Sequence, residues 1–340
     1  MGERIYLVTG AAGFLGSTLV QKLVRQGRTV RGLILDPRER ERFSTLPVEW
    51  HCGDLRKPES LRALFRNPEH RELIVLHTAG RVSIASKADR ELYEVNVLGT
   101  RNLLSLCKRH EVGRMIHVSS VHAIPELPAG QLQREVTVFS PDAVRGGYAK
   151  TKAQASELVL ESARAGLDCC VVYPSGILGP GDYGKTHINR LVLENLDGRL
   201  KACVAGGYDF VDVSDVADGI LCCVDRGVCG EGYILSNRYC SLRDFLELLH
   251  TISGGPRTVV TLPFWLARAT APLAERYARL RHRPPLYTPY SLDTLQSNAL
   301  FSHQRATEQL GYHPRPLEAT LRDTVAWMRA QQAALEPKPR

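Results

Sequence analysis

Arg4-Ile5-Tyr6-Leu7-Val8-Thr9-Gly10-Ala11-Ala12-Gly13-Phe14-Leu15-Gly16 is an apolar strand running into a glycine-spaced turn, and Ser17-Thr18-Leu19-Val20-Gln21-Lys22-Leu23-Val24 continues it in a helical pattern. Glycines at 10, 13 and 16 permit a tight turn, close approach of a pyrophosphate to the backbone, and packing of the helix on the strand. The helix N-terminus then faces the phosphates. A plain strand-to-helix turn could use the same residues, but the first βα junction is the context that a dinucleotide-binding turn requires.

Further strand patterns follow at Thr29 to Ile34, Val48 to Cys52, Leu73 to His77, Arg114 to Val118 and Asp168 to Tyr173. Helical stretches such as Ser60 to Phe65 and Tyr93 to Leu104 alternate with them, which describes an α/β fold with a doubly wound parallel Rossmann sheet and ligand at the strands' carboxyl ends. The expected division is a dinucleotide-binding domain over 1–180 and 208–237, a smaller and mainly helical C-terminal substrate lobe over 181–207 and 238–331, and a flexible tail over 332–340. Phe210 to Asp218 is expected to return a strand and a helix to the main sheet, with Ser214 or Asp215 as the cap. The irregular stretch 124–146 reads as a surface loop, and Tyr183-Gly184-Lys185-Thr186-His187 as a mobile substrate loop. Phe264 to Arg283 is amphipathic and basic; it fits a helix packed on the core, or a lid or membrane-surface element.

Several polar residues fall at the carboxyl ends. Asp36 stands about 20 residues beyond the glycine turn, where an acid binds adenosine ribose hydroxyls and selects NAD. Arg38 and Arg40 follow at once and could meet a 2′-phosphate, which leaves NADP open. Asp54 is either a ligand-facing acid or a helix cap. Asn96 interrupts an apolar periodicity, so its amide either bonds backbone nearby or faces solvent. Ser119-Ser120 ends the fifth strand, where a hydroxyl could bind a carbonyl oxygen.

Gly147-Tyr148-Ala149-Lys150-Thr151-Lys152 opens a good helix-forming stretch, so Tyr148 and Lys152 share one face. A tyrosine of pKa ~10 is a poor proton carrier at neutral pH, and a nearby cation favours its phenolate. The pair is thus a candidate acid/base unit.

The 340 residues, 44% hydrophobic and 24% charged, suit an enzyme-sized globular protein. A strand begins at Arg4 and no apolar run approaches the roughly 20 residues of a spanning helix, so a cytoplasmic protein without a transmembrane segment is expected. Nine cysteines without ligand spacing read as reduced thiols, and no metal site is expected. The net charge of +8 suits an anionic ligand such as a dinucleotide. Its basic residues are dispersed and not interleaved with aromatics, which argues against nucleic acid.

Taken in order, Thr9 to Gly16, Gly53-Asp54-Leu55, His77-Thr78-Ala79-Gly80, Asn96-Val97-Leu98-Gly99-Thr100, Ser119-Ser120, Tyr148 with Lys152, and Pro174 to Pro180 resemble the extended short-chain dehydrogenase/reductase superfamily, or NAD-dependent epimerase/dehydratase family, over nearly the whole chain. Within it the chain is most similar to dihydroflavonol-reductase-like and 3β-hydroxysteroid-dehydrogenase-like proteins. Leu310-Gly311-Tyr312-His313-Pro314-Arg315-Pro316-Leu317 and Ala326-Trp327-Met328 are similar to hopanoid-associated sugar epimerases.

The resemblance implies Tyr148 as catalytic acid/base, Lys152 as its electrostatic partner and ribose ligand, Ser120 as carbonyl-oxygen ligand, and Asn96 as support behind Lys152. It implies a cofactor site of Gly10, Gly13, Phe14, Leu15, Gly16, Asp36, Asp54, Leu55, Thr78, Ala79, Gly80, Tyr148, Lys152 and Pro174, holding NAD or NADP with a lean to NAD. Relatives that select NADP often carry arginine where this chain has Leu35, while many that use NAD carry an acid where it has Ile34. Homodimerisation through helices within 86–111 and 146–165 is also implied.

The expected function is hydride transfer between nicotinamide and a secondary alcohol or carbonyl of a largely apolar, steroid-, flavonoid- or aldehyde-like small molecule. Sugar-nucleotide members place arginine and asparagine where Tyr173 and Gly176 stand here. Ser120-Val121-His122 also lacks the acids by which similar dehydratases expel a hydroxyl. The alternatives are a nucleotide-sugar epimerase with tightly bound NAD and a non-catalytic dinucleotide sensor, though sensing would not need the Ser/Tyr/Lys set.

Overall fold

The computed structural model describes residues 4–83, 89–184, 186–200, 202–257, 260–280 and 289–335. Its strands are β1 Arg4–Thr9, β2 Thr29–Ile34, β3 Glu49–Cys52, β4 Glu72–His77, β5 Arg114–Val118, β6 Cys169–Pro174, β7 Gly176–Leu178, β8 Ala202–Val204, β9 Gly207–Asp212, β10 Gly232–Leu235, β11 Arg238–Ser241 and β12 Val260–Leu262. The helices are α1 Phe14–Arg25, α2 Arg90–Tyr93, α3 Gly99–Arg109, α4 Gly147–Arg164, α5 His187–Leu196, α6 Val213–Arg226, α7 Leu242–Ser253, α8 Phe264–Leu280, α9 Pro289–Gln296 and α10 Leu317–Leu335.

Seven strands form one parallel sheet in the order β10-β6-β5-β4-β1-β2-β3. β6 is buried along its whole length, and β1 and β4 at all but their first residue. Such continuous apolar runs suit parallel strands covered on both faces. One face packs Val8, Ile74 and Ile116 against Leu19 of α1 and Val216 and Ile220 of α6. The other packs Leu7, Val75 and Met115 into a core that continues through α3 and α4 to Phe245 of α7 and Leu321 of α10. The chain winds outward from β1 to β3 and then returns to β4 on the other side of β1. Thr9 and His77, the paired last residues of β1 and β4, therefore flank the point where the winding reverses, the usual site of a crevice in such sheets.

Three expectations need correction. The Phe210–Asp212 strand does not rejoin the main sheet: β9 pairs parallel with β7 and antiparallel with β11 in a separate three-stranded sheet. Pro174, which has no N–H to donate, ends β6, and β10 occupies the edge beside it. The helix that follows does return, capped by neither Ser214 nor Asp215. The carboxylate of Asp212 accepts from Ser214 N at 2.6 Å, and Asp215 instead accepts from Arg315 N. Finally, α10 runs on to Leu335, because Gln332-Ala333-Ala334-Leu335 are good helix formers and no proline intervenes before Pro337. The rest of the expected tail lies outside the described residues.

The loop before α4 is irregular, as its composition suggested, yet it is fastened from far away. Gln133 is buried; its N–H donates to Leu300 O at 2.8 Å and its carbonyl accepts from Ser302 N at 2.9 Å. Asn298 Nδ2 bonds the carbonyls of Pro128 and Gln131. Tyr290 covers Gly146, whose φ of +90° lies in the region that glycine tolerates.

All nine cysteines are free thiols, five of them buried. Among the described residues no helix is long and apolar enough to cross a membrane, and no His/Cys/Asp/Glu cluster has the form of a metal site. α8 forms where the amphipathic basic segment was expected, with Trp265 exposed; residues 281–283 lie outside the described residues.

Candidate active site

The glycine turn is closed by Gly13 N donating to Gly10 O at 2.9 Å. Gly10 has φ +65°, and a Cβ there would lie 2.9 Å from Ala79 Cα. A Cβ on Gly16 would sit 2.1 Å from Gly10 O, so only glycine lets α1 approach the turn this closely. No side chain caps α1 and no acid lies in its first turn. Its leading N–H groups remain suited to an anion, which fits the pyrophosphate of a dinucleotide. Phe14 and Leu15 begin the helix, Leu15 being buried.

Behind the turn, a hydrogen-bonded chain joins β1, β4 and α3. Thr9 Oγ1 lies 2.8 Å from His77 Nδ1 and accepts from Ala79 N; His77 Nε2 lies 3.0 Å from Thr100 Oγ1, which donates to Asn96 O. Thr78 Oγ1 donates to Thr9 O. Thr78, Ala79 and Gly80 are thus held against the glycine turn. Burial pushes the His77 pKa down to about 3, with Lys152 adding to the effect, so the relay is neutral.

Asn96 lies in a single π-turn, Glu94–Leu98, between α2 and α3. Its buried amide accepts from Arg81 N at 2.8 Å and donates to Arg81 O at 2.9 Å and Thr151 Oγ1 at 3.1 Å. Of the two readings that the sequence left open, bonding to nearby backbone is the one realised. The π-turn aims the amide inward, a use these local distortions often have.

Ser120 follows β5 and caps the turn Val121–Ala123, and Tyr148 opens α4; the two hydroxyls come close enough for Ser120 to act on the phenol. Ser120 Oγ also accepts from His122 N at 3.3 Å. Lys152 is buried one turn beyond Tyr148, and its ammonium donates to Val118 O at 2.8 Å. A Cβ on Gly80 would lie 3.2 Å from Lys152 Nζ and 3.3 Å from Asn96 Oδ1, so Gly80, Asn96 and Lys152 meet at one point. Burial brings the Lys152 pKa down to about 8. It also pushes the Tyr148 phenol above its ordinary value, an effect that the Ser120 hydrogen bond opposes.

The two acids expected on the adenosine side are engaged with neighbouring arginines. Asp36 caps the turn Pro37–Phe43, accepts from Arg38 N and pairs with the Arg38 guanidinium, which holds its pKa down at about 2. Asp54 accepts from Arg56 N and pairs with Arg56, which lowers its pKa. Both carboxylates remain ionised acceptors with arginine beside them. Leu55 is buried against Gly99, and Pro174 closes β6 opposite Leu235.

Beyond Tyr148 stand groups that the sequence reading did not assign to the site. His122 Nε2 lies 2.7 Å from Tyr208 Oη, and the His122 ring meets Tyr148 edge-on with centroids 6.2 Å apart. Tyr208 comes from β9, so no local pattern could have paired it with His122. Tyr173 is wholly buried and stacks on Phe139, a core position. The expected substrate loop is anchored at Asp182, which accepts from Thr186 N and Asn189 Nδ2; Lys185 lies outside the described residues. Tyr183 bridges Phe43 and Trp327 by edge contacts, under the guanidinium of Arg42.

A model of the NAD dependent epimerase/dehydratase family matches residues 6–235. Sterol demethylase protein B of Methylococcus capsulatus is 35% identical over 327 residues, spanning 95% of this chain and 98% of that protein. The 3β-hydroxysteroid-dehydrogenase/decarboxylase isoform 1 of Arabidopsis thaliana is 29% identical, spanning 99% of this chain and 82% of that protein. The crystal structure of gox2253 superposes with a TM-score of 0.82 at 31% identity, covering 96% of this chain and 98% of that one.

Proposed function

From the premise that the chain belongs to the NAD-dependent epimerase/dehydratase family of extended short-chain dehydrogenases/reductases, we propose that it is an NAD(P)-dependent oxidoreductase acting on a secondary alcohol, or the corresponding ketone, of an apolar polycyclic molecule of the sterol class. The observation that carries the reading is the meeting of Ser120 and Tyr148 one helical turn before the buried Lys152, whose ammonium lies beside Gly80 behind the glycine turn. Two hydroxyls brought to one place can both bond one substrate oxygen. When bound, the nicotinamide supplies or receives the hydride.

Tyr148 gives its proton to the substrate oxygen in reduction and takes it back in oxidation, while Ser120 holds that oxygen. Lys152, anchored by Val118 O, supplies positive charge close to Gly80 and Asn96 and favours the phenolate formed in the reductive direction. Asp36 favours NAD, and the exposed Arg38 beside it supplies a partner for a 2′-phosphate. The names of the relatives support a sterol-class substrate, and Gly176 in place of a polar side chain supports an apolar one. A cytoplasmic homodimer completes the reading.

Purified protein incubated with NAD, NADH, NADP or NADPH against hydroxysteroids, ketosteroids, flavanonols and aldehydes, and separately with UDP- and dTDP-sugars, tests the proposal. Turnover of a steroid alcohol or ketone is expected. Sugar epimerisation without cofactor consumption by any carbonyl compound would replace it with the nucleotide-sugar epimerase reading.

A further inference from the structure

His122 and Tyr208 stand immediately beyond the Ser120–Tyr148 pair, on different parts of the fold. The Ser120-capped turn Val121–Ala123 carries the imidazole, and β9 carries the phenol. The two rings lie within 21° of parallel, with Nε2 and Oη 2.7 Å apart. Tyr208 is buried against Gly176, where a Cβ would come within 2.9 Å of its ring, while His122 stays partly exposed. Burial lowers the His122 pKa to about 4 and raises that of Tyr208, so both are neutral at working pH.

A neutral imidazole has one N–H donor and one acceptor nitrogen, and a phenol has one O–H. Their mutual hydrogen bond consumes one donor. Whichever tautomer forms, one donor remains: the Nδ1–H if Tyr208 donates to Nε2, or the phenolic O–H if Nε2 donates to Tyr208. Among the described residues, His122 Nδ1 has no hydrogen-bond partner. Of the other polar groups nearby, Ser175 donates to Asp209 Oδ1, which also accepts from Asn237 N, and Lys152 is bonded to Val118 O, while Asp209 Oδ2 and the Tyr290 hydroxyl have no hydrogen-bond partner among the described residues. Because His122 is partly exposed, the spare donor is open to water or to a ligand.

We propose that His122 and Tyr208 form a specificity-determining pair that hydrogen-bonds an oxygen substituent on the carbon next to the reacting carbinol. The proposal rests on the reading of the protein as a sterol-class oxidoreductase. With the reacting oxygen held by Ser120 and Tyr148, the edge-on contact of His122 with Tyr148 puts its ring beside a neighbouring ring carbon of the substrate, not beside the distant end. The pair is neutral and offers a donor, so it selects a hydroxyl or keto oxygen over a bare methylene.

The test compares the wild type with Tyr208→Phe, His122→Leu and His122→Asn on two hydroxysteroids, one with bare carbons flanking the reacting carbinol and one with a hydroxyl on a flanking carbon. Tyr208→Phe and His122→Leu are expected to lower kcat/KM for the flanked substrate about tenfold, through KM, while changing the bare substrate less than about twofold. His122→Asn keeps a donor close to the Nδ1 position and should recover most of the loss. Equal losses on both substrates, or no loss on either, would overturn the pair while leaving the substrate class standing. If the wild type turns over neither steroid, the sterol-class reading itself fails and the proposal falls with it.

Discussion

The ammonium of Lys152 donates to the carbonyl of Val118 at 2.8 Å, so the helix that carries Tyr148 is fastened to the strand end that leads into Ser120. Lys152 therefore has a positioning task besides its charge. It keeps the two hydroxyls of the site in register even before any ligand contributes.

Tyr148→Phe removes the proton carrier and leaves the ring. Turnover should fall about 10²–10⁴-fold, with dinucleotide affinity nearly unchanged by calorimetry. Wild-type steady-state rates in this variant would end the proposed mechanism.

Gly13→Val places a branched side chain at the turn, where its Cβ would lie 3.1 Å from Gly10 O and where backbone must meet pyrophosphate. Loss of dinucleotide binding in a fluorescence titration is expected, with the sheet intact by circular dichroism. Gly16→Ala should cost folding stability as well, since its Cβ would meet Gly10 O at 2.1 Å.

The pH dependence has two limbs of different origin. Lys152 loses its proton through a pKa of about 8, so carbonyl reduction should decline above that pH. His122 has a folded pKa of about 4 against an ordinary 6.5, so below 6.5 the unfolded chain binds a proton that the folded chain refuses. Its contribution to stability is therefore lost as pH falls, by about 1.4 kcal/mol per unit. Thermal melts of wild type and His122→Phe between neutral and mildly acidic pH should show the variant gaining relative to the wild type on acidification.

A homodimer built on α3 and α4 is expected, because closed two-fold pairs are the commonest assembly. Light scattering at micromolar concentration should return twice the chain mass of 37.8 kDa; a monomer mass would contradict it.

The sheet was legible because its central strands are continuous apolar runs, and most strands lead into glycine, serine or threonine; both features are local. Ser120, Tyr148 and Lys152 were legible because each sits at a fixed point of that pattern. What escaped was set by tertiary contact. β9 pairs with β7 and not with the main sheet, and Tyr208, which it carries, meets His122 from 86 residues away in the chain. The direction of the Lys152 ammonium also escaped, since helix spacing places its stem beside Tyr148 without saying which oxygen it will choose. His77 lay inside a quoted motif, yet its partners, Thr9 and Thr100, come from opposite sides of it in the chain.

The fastening of the loop before Tyr148 has a consequence for biosynthesis. Gln133 and Asn298, which are hydrogen-bonded, lie 165 residues apart. At ribosomal speeds the interval between their synthesis is roughly 10–30 s. During that time most of the parallel sheet can pair, but the segment leading to Gly146 has neither Tyr290 nor the 298–302 strip to lie against. The entrance to the Tyr148 helix is thus completed late in synthesis, with only the segment through α10 still to follow. A chain truncated before residue 298 would carry a formed sheet and glycine turn beside an unfinished entrance to the Tyr148 helix.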